Sequence, residues 1–257
     1  MTDVPARRGA ALITGAAARL GEAVAVKLAG LGFDICVHYN RSKAAAEETA
    51  ERIRATGRRA ALIQGDLSDW DAVSRLVPEA TAALGPLCVL VNNASRFEAD
   101  ELQSMTRESW EAHLGANLTA PVQLAQAFAA QHEAGTDGLV LNLIDQRVWR
   151  PTPKFFSYTI AKMALWDATR TMAQALAPQG VRVNGVGPGP TLRNPRQSED
   201  DWKRQNETTI LKRGATPDDI ANAVAYLVDA RAVTGQMIAV DGGQHLAWET
   251  PDVLVNE

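Results

Sequence analysis

Tyr158 and Lys162 stand four residues apart in Tyr158-Thr159-Ile160-Ala161-Lys162, a segment of helical character. A phenol and an ammonium therefore share one helix face. A phenol can give up a proton, and a cation beside it lowers its pKa. The pair follows a β-rich run that closes on Asn142-Leu143-Ile144-Asp145. Ligands of open α/β sheets sit at the carboxyl ends of the strands. Asn117, in Ala116-Asn117-Leu118-Thr119, and Asn92-Asn93-Ala94-Ser95 after the preceding β-rich run are expected to face the same cleft.

A second constellation lies near the N-terminus. Thr14-Gly15-Ala16-Ala17-Ala18-Arg19-Leu20-Gly21 links a strand-like run to a helical one. Small side chains there let backbone approach a pyrophosphate, and a helix N-terminus offers unpaired N–H groups and partial positive charge. Gly15, Arg19, Leu20 and Gly21 are the candidate contacts. A site for NADH carries Asp or Glu about 20 residues on. That place is taken by Arg41, in His38-Tyr39-Asn40-Arg41-Ser42. A guanidinium with a neighbouring hydroxyl suits a 2′-phosphate, and Arg19 adds a second cation, so the expected cofactor is NADPH. The alternative is that Arg41 is a solvated residue at a helix start.

The elements that must position these groups read as short β-rich runs alternating with helical ones. The strand candidates are 11–14, 33–39, 60–64, 87–91, 139–144, 181–186 and 236–240. Leu20, Val24, Leu28 and Leu31 keep the spacing of one buried helix face, and Met163, Trp166, Arg170 and Ala173 continue another helical run. The alternation implies parallel βαβ units and a doubly wound, seven-stranded sheet in a single domain over 1–257. The least regular stretch, 187–198, opens a loop of about 187–213 expected to form the substrate wall.

Composition narrows the function. The chain has 257 residues, 46% apolar and 22% charged, with a net charge of −4. A weakly acidic chain has no broad pull on a phosphate backbone, so nucleic acid is not an expected partner. Cys36 and Cys88 are too few for a disulfide framework, which fits a reducing compartment. No apolar run is long enough to span a membrane, and Ala10 to Ile13 after Arg7 and Arg8 is too short for a signal peptide. A cytoplasmic location is expected. The four histidines, His38, His113, His132 and His245, show no metal-ligand spacing. His38 alone is a candidate for the adenine-ribose pocket.

Taken together, TGAAARLG, NNAS, the Asn of ANLTAP, YTIAK and VNGVGPG follow the order and spacing of the short-chain dehydrogenase/reductase family, which the chain resembles over residues 10–246. The resemblance implies a Rossmann-type fold, usually tetrameric, and a nicotinamide-dependent oxidoreductase. It adds Asp66, Leu67, Asn93, Ala94, Ser95, Pro188 and Gly189 to the cofactor contacts, together with Tyr158 and Lys162. The alternative for Asp66 is a helix cap near Ser68. The family normally carries Ser thirteen residues before the Tyr, and here Asp145 stands there. An ionised carboxylate is acceptor-only and cannot polarise a ketone as a hydroxyl does. The Asp, the Arg of TGAAARLG, HYNRS, Phe97 after NNAS and Asp241-Gly242-Gly243-Gln244-His245-Leu246 resemble pteridine reductases and bacterial dihydromonapterin reductases.

That likeness implies a hydride passed to a pterin C=N bond. Phe97 would stack on the pterin (or serve only as a core or lid aromatic), with Arg19, Ser95, Asp145 and Tyr158 as further substrate contacts and Trp149 completing the wall. Asp145 and Tyr158 would deliver the proton. Lys162 would hold the nicotinamide ribose and draw the Tyr158 pKa from near 10 towards 7, which takes roughly 4 kcal/mol. Asn117 would hold helix backbone or a water leading from Lys162 to solvent. The nearest alternative is a short-chain reductase of a ketone or 3-oxoacyl thioester. A non-catalytic NADPH sensor is disfavoured, since a sensor needs no proton donor.

Overall fold

The computed structural model describes residues 6–133, 135–194 and 196–249. Its centre is one seven-stranded sheet in the order β3-β2-β1-β4-β5-β6-β7, parallel throughout. The strands are β1 (Gly9–Ile13), β2 (Phe33–Tyr39), β3 (Ala60–Gln64), β4 (Leu87–Asn92), β5 (Gly138–Leu143), β6 (Val181–Pro188) and β7 (Met237–Val240). The runs expected at 33–39 and 60–64 match residue for residue. The other five shift by one or two positions at their ends.

Among the described residues eight α-helices fill the crossovers: α1 (Arg19–Gly30), α2 (Lys43–Ala55), α3 (Trp70–Leu84), α4 (Arg107–Leu114), α5 (Ala120–Gln131), α6 (Phe156–Leu176), α7 (Glu199–Glu207) and α8 (Pro217–Asp229). Alternate strand residues divide the core into two layers. Ile13, Ile35, Val37, Val91 and Leu141 pack with Val24 and Leu28 of α1, Ile53 of α2 and Ile220 and Leu227 of α8. Leu12, Cys36, Leu90 and Val140 point the other way, to Leu76 of α3, Leu124 and Phe128 of α5 and Ala173 of α6. Both faces of the sheet are covered, so the central strands are apolar without alternation. Each fully buried Leu or Ile contributes about 1.5–3 kcal/mol.

The helical faces read from spacing hold in part. In α1, Val24 and Leu28 are fully buried, while Leu20 and Leu31 are only half-buried. In α6 the buried stripe is Tyr158, Ala161, Lys162, Leu165, Thr169 and Ala173. Of the four residues that marked this run in the sequence, only Ala173 lies in it, and Met163 and Arg170 are exposed. The polar Tyr, Lys and Thr occupy the inner face, which a reading by apolar period passes over.

Polar side chains inside the sheet tie neighbouring strands at the ends where the site forms. His38, on β2, accepts from Gly15 N–H through Nδ1 (3.1 Å), and its Nε2 meets the Gly65 carbonyl (3.1 Å). One ring thus joins the turns that follow β1 and β3. Burial pushes the His38 pKa down to about 4 against the opposing pull of the Gly65 carbonyl and Asp66. The folded protein therefore binds fewer protons than the unfolded chain between about pH 4 and 6.5, and stability falls as pH drops through that window. Chemical denaturation at pH 7 and pH 4.5 is expected to show a loss of about 2 kcal/mol from this residue. His38→Gln, which keeps a donor and an acceptor but no titration, should lose that much less over the same interval.

Candidate active site

At the carboxyl ends of the strands lies a cleft of about 920 Å³. The turns after β1, β4 and β5 and the segment beyond β6 build its walls. A volume near this is ordinary for a site that takes a cofactor-sized ligand.

One half of the cleft is cut for a nucleotide. Gly15 has φ 62°, the left-handed region that only glycine enters freely. A Cβ there would stand 3.0 Å from Ala94 Cα. Gly21 is packed still more closely, since its Cβ would meet the Gly15 carbonyl and Asn93 Nδ2. Asn93 donates from Nδ2 to the carbonyls of Thr14 (2.8 Å) and Gly15 (3.1 Å). Gly21 and Asn93 therefore shape the turn from behind and do not line the cleft. The N-cap of α1, Ala18, makes no side-chain hydrogen bond, which leaves the first N–H groups of the helix to the cleft. Arg19, Leu20, His38, Asn40, Arg41, Asp66, Leu67, Pro188 and Gly189 line it as the sequence led us to expect. Asp66 also accepts from Ser68 N–H (2.9 Å) and Oγ (2.7 Å), and these bonds hold its pKa below the usual range. The N-cap of α3 is Asp69, so the helix-cap alternative is not met; Asp66 holds the turn at Ser68 and lines the cleft. Tyr39 and Ser42 are not at the cleft. Tyr39 packs in the core against α1, and Ser42 sits exposed at the start of α2.

The other half carries the proton chemistry. Tyr158 donates its O–H to Asp145 Oδ2 at 2.8 Å. Asp145 is fixed in turn by Arg147 N–H on Oδ1, also 2.8 Å, in the short turn Gln146–Val148. Burial raises the Tyr158 pKa well above 10, and the Asp145 charge and hydrogen bond add to the effect. The expectation that Lys162 pulls the phenol towards 7 is thereby corrected. The carboxylate in the serine position disfavours a phenolate beside it, and Lys162 spends its Nζ on the Leu143 carbonyl at 2.7 Å. Burial lowers the Lys162 pKa to about 8. The phenol is held protonated, as a donor must be.

Asn117 lies in a one-turn π bulge, Gly115–Thr119, between α4 and α5. Its Oδ1 accepts from Ser95 Oγ (2.8 Å) and Arg96 N–H (3.0 Å), and its Nδ2 donates to the Arg96 carbonyl (2.9 Å). It braces the loop that carries Ser95 and Phe97, and it makes no bond to Lys162. Phe97 is on the cleft wall. Its ring stacks on Phe155 (4.2 Å, 10°) and meets Tyr158 edge-on at 4.7 Å. One face of the plate is therefore taken by Phe155. Trp149 is not on the wall. It is exposed and packs against Trp166 and His245.

Three contributors escaped the sequence reading. Gln146 and Arg147 line the cleft directly after Asp145, and the signal was their place at a strand's carboxyl end. Phe155 adopts φ 57°, uncommon for a bulky residue, and nothing local in the sequence announces it. Asp100 holds the segment there, with its carbonyl accepting from Phe156 N–H (3.1 Å) and its Oδ1 from Ser157 N–H (3.0 Å). Among the described residues no cluster of His, Cys, Asp and Glu is placed to hold a metal, and no helix is long and apolar enough to cross a membrane.

A parallel doubly wound sheet with a glycine turn and a buried Tyr–Lys pair at its carboxyl edge defines a Rossmann-type α/β protein. Residues 15–245 match the family model described as Enoyl-(Acyl carrier protein) reductase. The chain belongs to the short-chain dehydrogenase/reductase family. It is similar to the 3-oxoacyl-[acyl-carrier-protein] reductase FabG of Staphylococcus epidermidis, at 33% identity over 92% of this chain and 98% of that one. Among solved structures it is similar to FolM Alternative dihydrofolate reductase 1 from Brucella suis in complex with NADP, at 46% identity and TM-score 0.91, covering 95% and 98% of the two chains. A blue fluorescent protein from a metagenomic library, in complex with NADPH, matches at 34% identity and TM-score 0.87 over 93% and 98%.

Proposed function

We propose that the protein is an NADPH-dependent reductase that adds hydride to a C=N bond of a pterin. The observation that carries this reading is the 2.8 Å hydrogen bond from Tyr158 to Asp145, a carboxylate where a ketone reductase keeps a neutral hydroxyl. An ionised carboxylate accepts hydrogen bonds and repels a developing oxyanion. Beside a pterin it meets N–H groups, which it can orient. The FolM structure, with NADP, supports the same reading.

The residues present fit the cofactor. The uncapped N-terminus of α1 and the glycine at position 15 suit a pyrophosphate. Arg41 and Arg19 suit the 2′-phosphate, with Asn40, Ser42 and Tyr39 supporting the turn and Asp66 and Leu67 beside the adenine. Ala94, Pro188 and Gly189 would flank the nicotinamide end. When bound, NADPH supplies the hydride. Lys162 would hold the ribose, Phe97 and Ser95 the substrate, and Tyr158 with Asp145 the proton that goes to the substrate nitrogen. The segment of about 187–213, which holds the end of β6 and helix α7 and is not one loop, would close the wall; Pro195 within it lies outside the described residues. The proposal extends to a homotetramer in the cytoplasm.

A second reading, reduction of a ketone or 3-oxoacyl thioester, is favoured by the FabG relative. A panel of dihydrobiopterin, dihydromonapterin, dihydrofolate, oxidised pterins, acetoacetyl-CoA and simple ketones decides between them by NADPH consumption. Turnover of a pterin with none on the thioester is expected, and the reverse would overturn the proposal. Asp145→Ser should lower kcat/KM for the pterin at least about 100-fold while NADPH Kd stays within about threefold; equal loss of both would mark Asp145 as structural. Arg41→Asp should lower the NADPH/NADH ratio of kcat/KM at least about tenfold, the worth of one charge-assisted hydrogen bond. An unchanged ratio would remove Arg41 from the phosphate site.

A further inference from the structure

Among the described residues Arg147 is the one cation that lies over both the Tyr158 ring and the aromatic wall. Its Cζ lies 5.9 Å from the Tyr158 ring centroid, 5.8 Å from Phe97 and 5.2 Å from Phe155. Its backbone N–H holds Asp145. Among the described residues its guanidinium donates only to neutral oxygens, the Lys154 carbonyl at 3.2 Å and Thr152 Oγ1 at 3.5 Å. Its Nε is buried without a partner. A buried donor left unmade is costly and is rare in folded proteins away from functional places. Among the described residues no carboxylate forms an ion pair with it, unlike Arg196, which pairs with Glu98.

The reaction creates a use for it. As the substrate carbon accepts hydride, the electron pair of the C=N π bond moves to nitrogen. That nitrogen takes the Tyr158 proton, and the phenol oxygen keeps the electrons of its broken O–H bond. A phenolate then stands beside Asp145 inside a buried site. The charged and titratable groups facing it are Asp145, Arg147, Lys162 and His113. His113 spends both ring nitrogens on backbone, accepting from Glu98 N–H (3.1 Å) and donating to the Ser109 carbonyl (2.9 Å). Lys162 sits 5.8 Å from the Tyr158 ring centroid, but it is tied to Leu143, and burial weakens its hold on its proton. A guanidinium does not deprotonate in proteins.

We propose that Arg147 is a positioning residue for proton transfer: its permanent charge, seated among Phe97, Phe155 and Tyr158, balances the negative charge that Asp145 and Tyr158 share once the proton has left. The inference rests on the reading of Tyr158 as proton donor, and it holds for whichever substrate the panel shows to be turned over.

The test compares Arg147→Met, which keeps bulk and removes charge, with Arg147→Lys, which keeps charge. In Arg147→Met, kcat is expected to fall about 100-fold with KM within about threefold, and the solvent deuterium isotope effect on kcat should rise as proton transfer becomes limiting. Arg147→Lys should recover to within about tenfold of wild type. NADPH Kd, read by fluorescence without turnover, should change less than about twofold in both. A kcat for Arg147→Met within about threefold of wild type, or equal losses in the two variants with an unchanged isotope effect, would overturn the inference. Should Arg147→Met fail to fold by circular dichroism, Arg147→Gln against Arg147→Lys makes the same comparison. Tyr158→Phe separates the two levels. If it stays active, the donor reading itself fails; if it is inactive while Arg147→Met is normal, only the role of Arg147 fails.

Discussion

A phenol and a carboxylate 2.8 Å apart in a desolvated cleft are compatible only while a proton lies between them. Much of the site follows from that constraint. Burial of Tyr158 keeps the phenol protonated, and the turn after β5 keeps Asp145 pointed at it through one backbone N–H. Lys162 lies beneath, held by a strand-end carbonyl. In a site built with serine the same lysine would face a phenol with no charge beside it. Here the carboxylate changes what the phenol must be, from a group poised to ionise into one poised to donate.

The precision of that contact comes from buried polar side chains that each fix a loop. His38 joins the turns after β1 and β3, Asn93 clamps the first turn from behind, Asn117 braces the loop after β4, and Asp100 anchors the first turn of α6. A parallel sheet delivers its strand ends to one edge but leaves the loops there free. Backbone groups in those loops need partners, and side chains supply them without closing the cleft. The apolar layers set where the edge is, and this polar lattice sets the shape of the edge.

The sheet was legible because its strands are buried on both faces and alternate with helical runs. Even the pairing of Tyr158 with Lys162 on one face follows from spacing alone. What resisted reading has physical causes. The inner face of α6 carries Tyr158, Lys162 and Thr169, and the residues that marked the run in the sequence, Met163, Trp166 and Arg170, lie off it. The Lys162 effect on Tyr158 was misjudged because burial of the phenol and the neighbouring carboxylate raise its pKa, while burial also disfavours the charge on Lys162. Trp149 was assigned to the wall by adjacency in sequence, yet the short turn after β5 rotates it outward to Trp166 and His245. Phe155 depends on a left-handed backbone held from Asp100, fifty-five positions away, which no local pattern encodes.

The FabG relative and the chemistry of one position favour different substrates, and the physics of discrimination says which should weigh more. Overall identity reports the core and the cofactor half, which a ketone reductase and a pterin reductase share. Selectivity between them is a difference in transition-state binding at a few atoms. A hydrogen-bonding group matched to a substrate rejects an unmatched one steeply, because a buried polar atom is left unpaired. A carboxylate at position 145 is matched to N–H groups and mismatched to a growing oxyanion. One oxygen accepts from the Arg147 N–H and the other, Oδ2, from the phenol. Phe97 meets that phenol directly, with its ring 4.7 Å from the Tyr158 ring.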